Sequence, residues 1–332
     1  VRMQLPNTTR RAVSVLAALL VMFGSPMVRA QTPGWPADPI KLIVSYPPGS
    51  GTDTTARVLA ERMSRSLGQQ VIVENRPGAS GRIGTLSVVR AKPDGYTLLF
   101  GTGAELTAAP ITVKSLAYDP LKDLQPVMLI SKSLGMVVAS PEFAPNTLSE
   151  LVADAKAHPG KLNYGSGGHN SIPHLLGQQF NFAAGIETTH VPYKGGGPML
   201  IDLTSGLLQY AFSSPGASLA YVQAGKLKAL AIAAPHRLPA LPDVATMDEQ
   251  GFPGFDNGTW FGLLAPAHTP AAIVTRLHAV LQSALAAPEV RKTLKELYIQ
   301  PIASTPEEFG RFLQSETDRY RQLAAQLGIK PE

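Results

Sequence analysis

The sequence predicts an α/β fold built from two packed, interleaved domains. Three observations carry this reading. Short apolar runs alternate with stretches of helical periodicity in both halves of the chain, an order that favours mostly parallel sheets. Four glycine-rich loops each open onto a predicted helix: Tyr46-Pro-Pro-Gly-Ser-Gly-Thr-Asp53, Pro77-Gly-Ala-Ser-Gly-Arg82, Tyr164-Gly-Ser-Gly-Gly-His-Asn-Ser171 and Tyr193-Lys-Gly-Gly-Gly-Pro198. The 332 residues, 44% of them apolar, suit two domains, and no low-complexity linker or fixed-period repeat separates them.

The elements follow in order. Ile40–Ser45 is an apolar run ending at the first loop, as a buried strand would. Behind the loop, Ala56, Leu59, Ala60, Met63 and Leu67 fall at helical spacing until Gly68 stops the helix. Gln70–Val73 is the next strand, and Asn75-Arg-Pro-Gly78 turns into a helix reaching Ala91. Asp94-Gly95 then turns into a strand at Tyr96–Phe100. In the second half, Thr147-Leu-Ser-Glu150 has the form of a capping box ahead of Leu148, Leu151, Val152 and Ala155 on one helical face. Leu162–Tyr164 leads into the third loop, with Ile172, Leu175, Leu176, Phe180 and Ala183 marking the helix behind it. Thr189–Val191 enters the fourth loop, where Pro198 suits a first helical position. Lys228–Ala233 is a further strand, and Thr305-Pro-Glu-Glu308 caps a last helix carrying Phe309, Phe312, Leu313, Tyr320 and Leu323.

The start of the chain speaks to location. Arg2, Arg10 and Arg11 precede an apolar stretch from Ala12 to Phe23, then small residues up to Val28-Arg-Ala30. Basic, apolar and small-residue regions in that order describe a secretory signal peptide, cleaved after Ala30. The apolar stretch is shorter than the ~20 residues of a membrane span. This segment holds four arginines and no acid, so 29 basic residues less those four leaves 25 against 24 acidic. The exported chain is therefore nearly neutral, which excludes the electrostatic footprint of a nucleic-acid binder. With no cysteine, neither a disulfide framework nor a thiolate metal site is possible.

The glycine loops give the chemistry. A helix start leaves backbone N–H groups unpaired and carries partial positive charge, and a small residue before it lets an anion approach. Four such loops in two halves suggest two surfaces gripping one anionic solute, beyond the carboxyl ends of the strands. Catalytic sets are not visible. Ser50, Ser80 and Ser166 lack the flanking pattern of a nucleophile elbow. Gly160-Lys161 and Gly225-Lys226 are each followed by leucine, and Gly49-Ser-Gly51 and Gly101-Thr-Gly103 lack the third glycine of a dinucleotide fingerprint. Among seven histidines none forms a His-x-x-x-His pair. His169 and His174, five apart across Pro173, read as packed or solvated side chains, so neither metal nor cofactor is expected. Asp53 reads as a first-turn acid favoured by the helix dipole. Two alternatives stay open on the residues alone: a secreted hydrolase or lyase with a site from Asp53, Glu105 and His169, and a sensor presenting solute to a membrane partner.

The loops also resemble something specific. Val44-Ser-Tyr-Pro-Pro-Gly-Ser-Gly-Thr-Asp-Thr-Thr-Ala-Arg57 is similar to the first ligand loop of the Bug-type receptors, the solute-binding subunits of tripartite tricarboxylate transporters. The resemblance continues through Val73-Glu-Asn-Arg-Pro-Gly-Ala-Ser-Gly81, Pro93-Asp-Gly-Tyr96, Tyr118-Asp-Pro-Leu-Lys-Asp123, Asn163-Tyr-Gly-Ser-Gly-Gly168 and Pro173-His-Leu175. It runs on through His190-Val-Pro-Tyr-Lys-Gly195, Leu238 to Gly251, Trp260-Phe-Gly-Leu-Leu-Ala-Pro266 and Thr305-Pro-Glu-Glu-Phe309. It covers nearly all of the exported chain in the family's order. It implies a two-lobed periplasmic-binding-protein (Venus flytrap) fold with crossing hinge strands, one lobe from residues 31–128 and 236–332 and the other from 129–235. It further implies a monomeric periplasmic receptor, without catalysis, that closes on a small carboxylate and hands it to the membrane subunits of a transporter.

Loops and resemblance together give a candidate ligand set. It comprises Pro48, Gly49, Ser50, Thr52 and Asp53 from the first loop, then Thr102 and Glu105. Ser166, Gly167, Gly168, His169 and Ser171 come from the third loop, and Lys194, Gly195 and Gly196 from the fourth. The hydroxyls of Ser50, Thr52, Ser166 and Ser171, with neighbouring backbone N–H groups, are expected to hold one carboxylate from both lobes. This chain departs from the family pattern at Ser50, at His169-Asn170, and at Ala109-Pro110 with Glu105 upstream. The resemblance places the loops of Glu105 and His169 at opposite walls of the cleft, and if both face inward they would read the part of the ligand beyond its first carboxylate.

Overall fold

The computed structural model describes residues 34–169, 171–255, 258–329 and 331; the expected export segment at 1–30 lies outside them. From Asp38 onward the chain carries two sheets. The first half runs β1 (Ile40–Val44), α1 (Gly51–Leu67), β2 (Val71–Asn75), α2 (Arg82–Val89), β3 (Thr97–Thr102), α3 (Ala109–Thr112), α4 (Pro120–Asp123) and β4 (Leu124–Ser133). The middle runs β5 (Gly135–Ala139), α5 (Leu148–Ala157), β6 (Asn163–Ser166), α6 (Ile172–Ala184), β7 (Thr189–Pro192), α7 (Gly196–Thr204), β8 (Tyr210–Ser213), α8 (Pro215–Gln223) and β9 (Lys228–Ala233). The end runs β10 (Trp260–Pro266), α9 (Ala271–Ala286), α10 (Pro288–Glu296), β11 (Ile299–Pro301) and α11 (Pro306–Leu327).

One sheet has the order β11-β4-β10-β3-β1-β2, the other β7-β6-β8-β5-β9. In each, the βαβ part is parallel: β1 lies between β2 and β3, and β6 between β7 and β8. The mostly parallel expectation holds only there. β10 runs antiparallel to β3 and β4, β11 to β4, and β5 to β8 and β9. The reversal has a simple cause. β4 and β5 are separated by Leu134 alone, so one extended segment leaves the first sheet and enters the second. The chain returns between β9 and β10, after a segment whose Met247, Phe252 and Phe255 pack into the second sheet's core.

Residue type explains the packing. β5 is buried along its length, and its alternate side chains enter opposite cores, as a period of two requires. Met136 and Val138 meet Met199, Leu203 and Leu219, while Val137 and Ala139 meet Leu151, Phe180 and Tyr210. The first sheet's core gathers Ile43, Leu99, Leu129, Trp260 and Leu264 under Phe309 and Leu313 of α11. Further along the same helix, Tyr320 and Leu323 reach the core of the second sheet. α11 is thus a strut shared by both lobes. Its start is the predicted capping box, with Thr305 and Glu308 satisfying each other's backbone N–H groups. At α7, Pro198 occupies the third helical position instead of the first, because the helix begins at Gly196.

Close approach fixes the third loop. Gly177 of α6 lies against Tyr164 of β6, where an added Cβ would stand 2.1 Å from Cε2 of the ring. Gly177→Ala is expected to lower the unfolding free energy by roughly 1–3 kcal/mol through overpacking. A urea titration checks it, with the midpoint falling at unchanged slope.

Candidate functional site

A cavity of about 590 Å³ lies between the carboxyl ends of the two sheets. Its first wall comes from the end of β1 (Ser45, Tyr46, Pro47), the Pro77–Arg82 loop, and Ala104, Ala109 and Val113. Its second wall is Gly167, Gly168 and His169 with Tyr193, Lys194 and Gly195. The walls touch. Ser80 Oγ donates to the carbonyl of His169 at 2.8 Å, across the cleft.

What each helix start does with its backbone N–H groups separates the loops. At α1, Ser50 Oγ accepts from Asp53 N at 3.2 Å, and Asp53 Oδ2 accepts from Gly49 N at 2.9 Å. Asp53 also accepts from Arg57 Nε and Asn75 Nδ2. Burial alone would raise the Asp53 carboxyl, but the bonds from Arg57, Gly49 and Asn75 hold it below the usual carboxylate range. At α6, Ser171 Oγ accepts from His174 N and donates to the Gly168 carbonyl. These two helices are closed by their own residues.

The starts of α2 and α7 are different. Their N-cap residues are Gly81 (φ 91°) and Gly195 (φ 107°), neither of which has a side chain to cap with. Both glycines line the cavity, one from each wall. The loop before α2 is unusual: Gly78, Ala79, Ser80 and Gly81 all have positive φ, two of them non-glycine. Such strain persists where surroundings impose it, and a helix start at such a loop is a place where anions bind. Arg82 enters the lining with its Nε bonded to the Ala79 carbonyl, and Lys194 stands opposite, exposed. Neither pairs with a carboxylate among the described residues. The fourth loop is held to the third by Tyr193 N to the Ser166 carbonyl (3.0 Å) and Gly195 N to the Gly167 carbonyl (3.2 Å). Tyr193 OH donates to Asp202 of α7 at 2.6 Å.

The candidate residues from sequence therefore divide. Gly167, Gly168, His169, Lys194 and Gly195 line the cavity. Gly196 lies beside it, in a smaller cavity of about 160 Å³ that shares Gly167. Pro48, Gly49, Ser50, Thr52 and Asp53 are outside the lining, because the first loop folds back to cap its own helix. Thr102, Ser166 and Ser171 also stand behind the walls, their hydroxyls engaged within the chain. Ser80, Arg82, Tyr46 and Tyr193, absent from the candidate set, do line the cavity.

Glu105 is fully buried, so it does not face His169 across open solution. Its carboxylate accepts from Thr102 N (2.7 Å), Thr102 Oγ1 (2.7 Å) and Tyr46 OH (3.1 Å). Burial pushes this carboxyl up to about 7, with the bonds from Thr102 and Tyr46 acting against the rise. The carboxylate backs the Gly78–Gly81 loop, since a Cβ on Gly81 would stand 2.7 Å from Glu105 Oε2. The enzyme alternative loses its constellation, because Asp53 and Glu105 are committed to separate partners.

A raised carboxyl binds its proton in the folded state at a pH where the unfolded chain has released it. Stability from this group is thus present below the ordinary value near 4.5 and declines as pH rises to about 7. Glu105→Gln is expected to flatten that decline, by up to roughly 3 kcal/mol at neutral pH. Urea unfolding of both proteins at several pH values between 4 and 8 measures it.

In the second wall the structure gathers His169, His174 and His190, from a loop, from α6 and from β7. His174 and His190 stack with centroids 3.9 Å apart, and His169 meets both edge-on at 5.7 and 5.2 Å. Ser166 Oγ lies 2.7 Å from His190 Nε2. Burial lowers His174 to about 4 and His190 to about 3, with the neighbouring imidazoles adding to the effect, so both are neutral at pH 7. His190 was not among the candidate site residues, because only the β6–β7 pairing brings it beside His169 and His174.

Residues 55–329 match the family described as tripartite tricarboxylate transporter family receptor. The chain is 35% identical to Protein BugT of Bordetella pertussis over 297 residues, 89% of this chain and 91% of that one. Among solved structures, R. palustris Rpa4515 with adipate superposes with a TM-score of 0.85 at 32% identity, over 90% of this chain and all of that one. MatC from Rhodopseudomonas palustris with bound malate superposes at 0.81 with 34% identity, over 87% of this chain and 99% of that one.

Proposed function

The chain belongs to the tripartite tricarboxylate transporter receptor family, and from that premise we propose that it captures a small aliphatic dicarboxylate in the periplasm for a membrane transporter. It is a solute-binding protein and not an enzyme. One observation carries the ligand class: two helix starts without side-chain caps, at Gly81 and Gly195, open into one cavity from opposite walls. A dicarboxylate suits that arrangement, with one anionic end at each helix start. Pro47, Pro77, Ala79, Ala104, Ala109 and Val113 offer apolar contact to the carbons between. The bound malate and adipate of the two relatives are acids of this kind. Helix-start contacts contribute about 0.3–2 kcal/mol each, and charge-assisted hydrogen bonds about 1.5–3. Several together reach the roughly 8 kcal/mol of micromolar capture. Cleavage after Ala30 delivers the receptor to the periplasm, and the bond from Ser80 Oγ to the His169 carbonyl ties the two walls of the cavity together.

Calorimetric titration with C4–C6 dicarboxylates, monocarboxylates, amino acids and pyridine carboxylates tests this reading. The expected result is saturable micromolar binding of a dicarboxylate that weakens as salt is raised. Preference for a neutral solute, or for a cationic one, would overturn it.

A further inference from the structure

We propose that His169, His174 and His190 form a binding site for a divalent transition-metal ion in the second wall of the cleft. One ring nitrogen from each lies within 4.8 Å of the other two, although the residues come from a loop, a helix and a strand. Three imidazoles with room for a further ligand match the donor set of zinc, copper and nickel sites, and not that of magnesium or calcium.

The arrangement needs contraction and a turn of one ring: His174 and His190 stack with centroids 3.9 Å apart and planes 23° apart, so their in-plane lone pairs run side by side until one ring re-aims. Tetrahedral bonds of about 2.0–2.1 Å place ligand nitrogens roughly 3.4 Å apart. The movable member is His169, which is exposed and follows Gly167 and Gly168 in the loop, Gly168 at φ 142°. His174 is buried and His190 half-buried, so His190 is the ring of the stacked pair that turns toward the ion. Ser166 supplies the support that metal-bound histidines usually have. Its hydroxyl lies 2.9 Å from the Gly168 carbonyl, to which it donates, and 2.7 Å from His190 Nε2. With the hydroxyl proton on the Gly168 carbonyl, His190 gives its Nε2–H to Ser166 and keeps the Nδ1 lone pair for an ion. Because His169 also lines the large cavity, the remaining coordination position opens on that side. The donor geometry stands independently of which acid the cavity takes.

The test uses untagged protein, stripped with a chelator and free of organic acid. Zn²⁺, Ni²⁺ and Cu²⁺ are titrated singly by calorimetry, and Co²⁺ by visible absorption. The expected result is one ion per chain with Kd below about 100 μM for at least one of them. His169→Ala, at an exposed position, should weaken it at least tenfold. His190→Gln, with folding checked by circular dichroism, should do the same, whereas His158→Ala and His236→Ala should leave it unchanged. Failure of all four ions to bind at this strength, or binding insensitive to His169→Ala, would overturn the proposal.

Discussion

Gly81→Ala is expected to lower acid affinity at least 100-fold while leaving the fold intact. Gly81 is the N-cap of α2 at φ 91°, where a side chain costs roughly 1–3 kcal/mol in backbone strain. A Cβ there also meets Glu105 Oε2 at 2.7 Å and Cδ at 2.8 Å. Glu105 has nowhere to retreat, since Thr102 and Tyr46 hold both carboxylate oxygens. The loop must therefore move, and with it the N–H groups that open into the cavity. Calorimetry with the best dicarboxylate measures the loss, beside a circular dichroism spectrum and a thermal melt. Affinity within threefold of the native value would separate this loop from binding.

The second large effect is electrostatic. Arg82 and Lys194 stand on opposite walls of one cavity, and neither is neutralised by an acid among the described residues. Arg82→Ala is expected to reduce dicarboxylate affinity about 10- to 100-fold, in line with about 1.5–3 kcal/mol for a hydrogen bond to a charged group. Lys194→Ala, at a more exposed position, should cost about threefold to tenfold. Belonging to different lobes, the two should combine nearly additively. The double variant should also lose most of the salt dependence of binding. Titrations at two ionic strengths read both quantities.

Much of this is legible in the sequence. Gly68, left-handed, ends a helix whose apolar spacing marks its buried face, as its sequence indicates. What escaped was set by tertiary pairing. β4 and β10 are buried strands whose directions depend on the crossing at Leu134, which no local pattern encodes. The four glycine loops were visible, but their division of labour was not. Ser50 and Ser171 look like ligand hydroxyls and in fact cap helices. Gly195 stands in the candidate set and Gly81 does not, yet both are N-caps without a side chain at the cavity wall. A hydroxyl before a helix is thus ambiguous between a ligand and a cap, and only the fold decides. Glu105, in a loop the resemblance places at the cleft, is fully buried and backs the Gly78–Gly81 loop.

The central claim is that the carboxylates lie at the two uncapped helix starts bordering the large cavity and not at the capped starts of α1 and α6. A crystal structure with the best-binding dicarboxylate tests it most directly. One carboxylate is expected within hydrogen-bonding distance of backbone N–H groups in residues 80–83 beside Arg82. The other is expected at residues 195–197 beside Lys194, with Ser50 and Ser171 still capping α1 and α6. An acid bound instead through Ser50, Thr52 and the Gly49–Asp53 backbone, with Arg82 and Lys194 turned away, would contradict it.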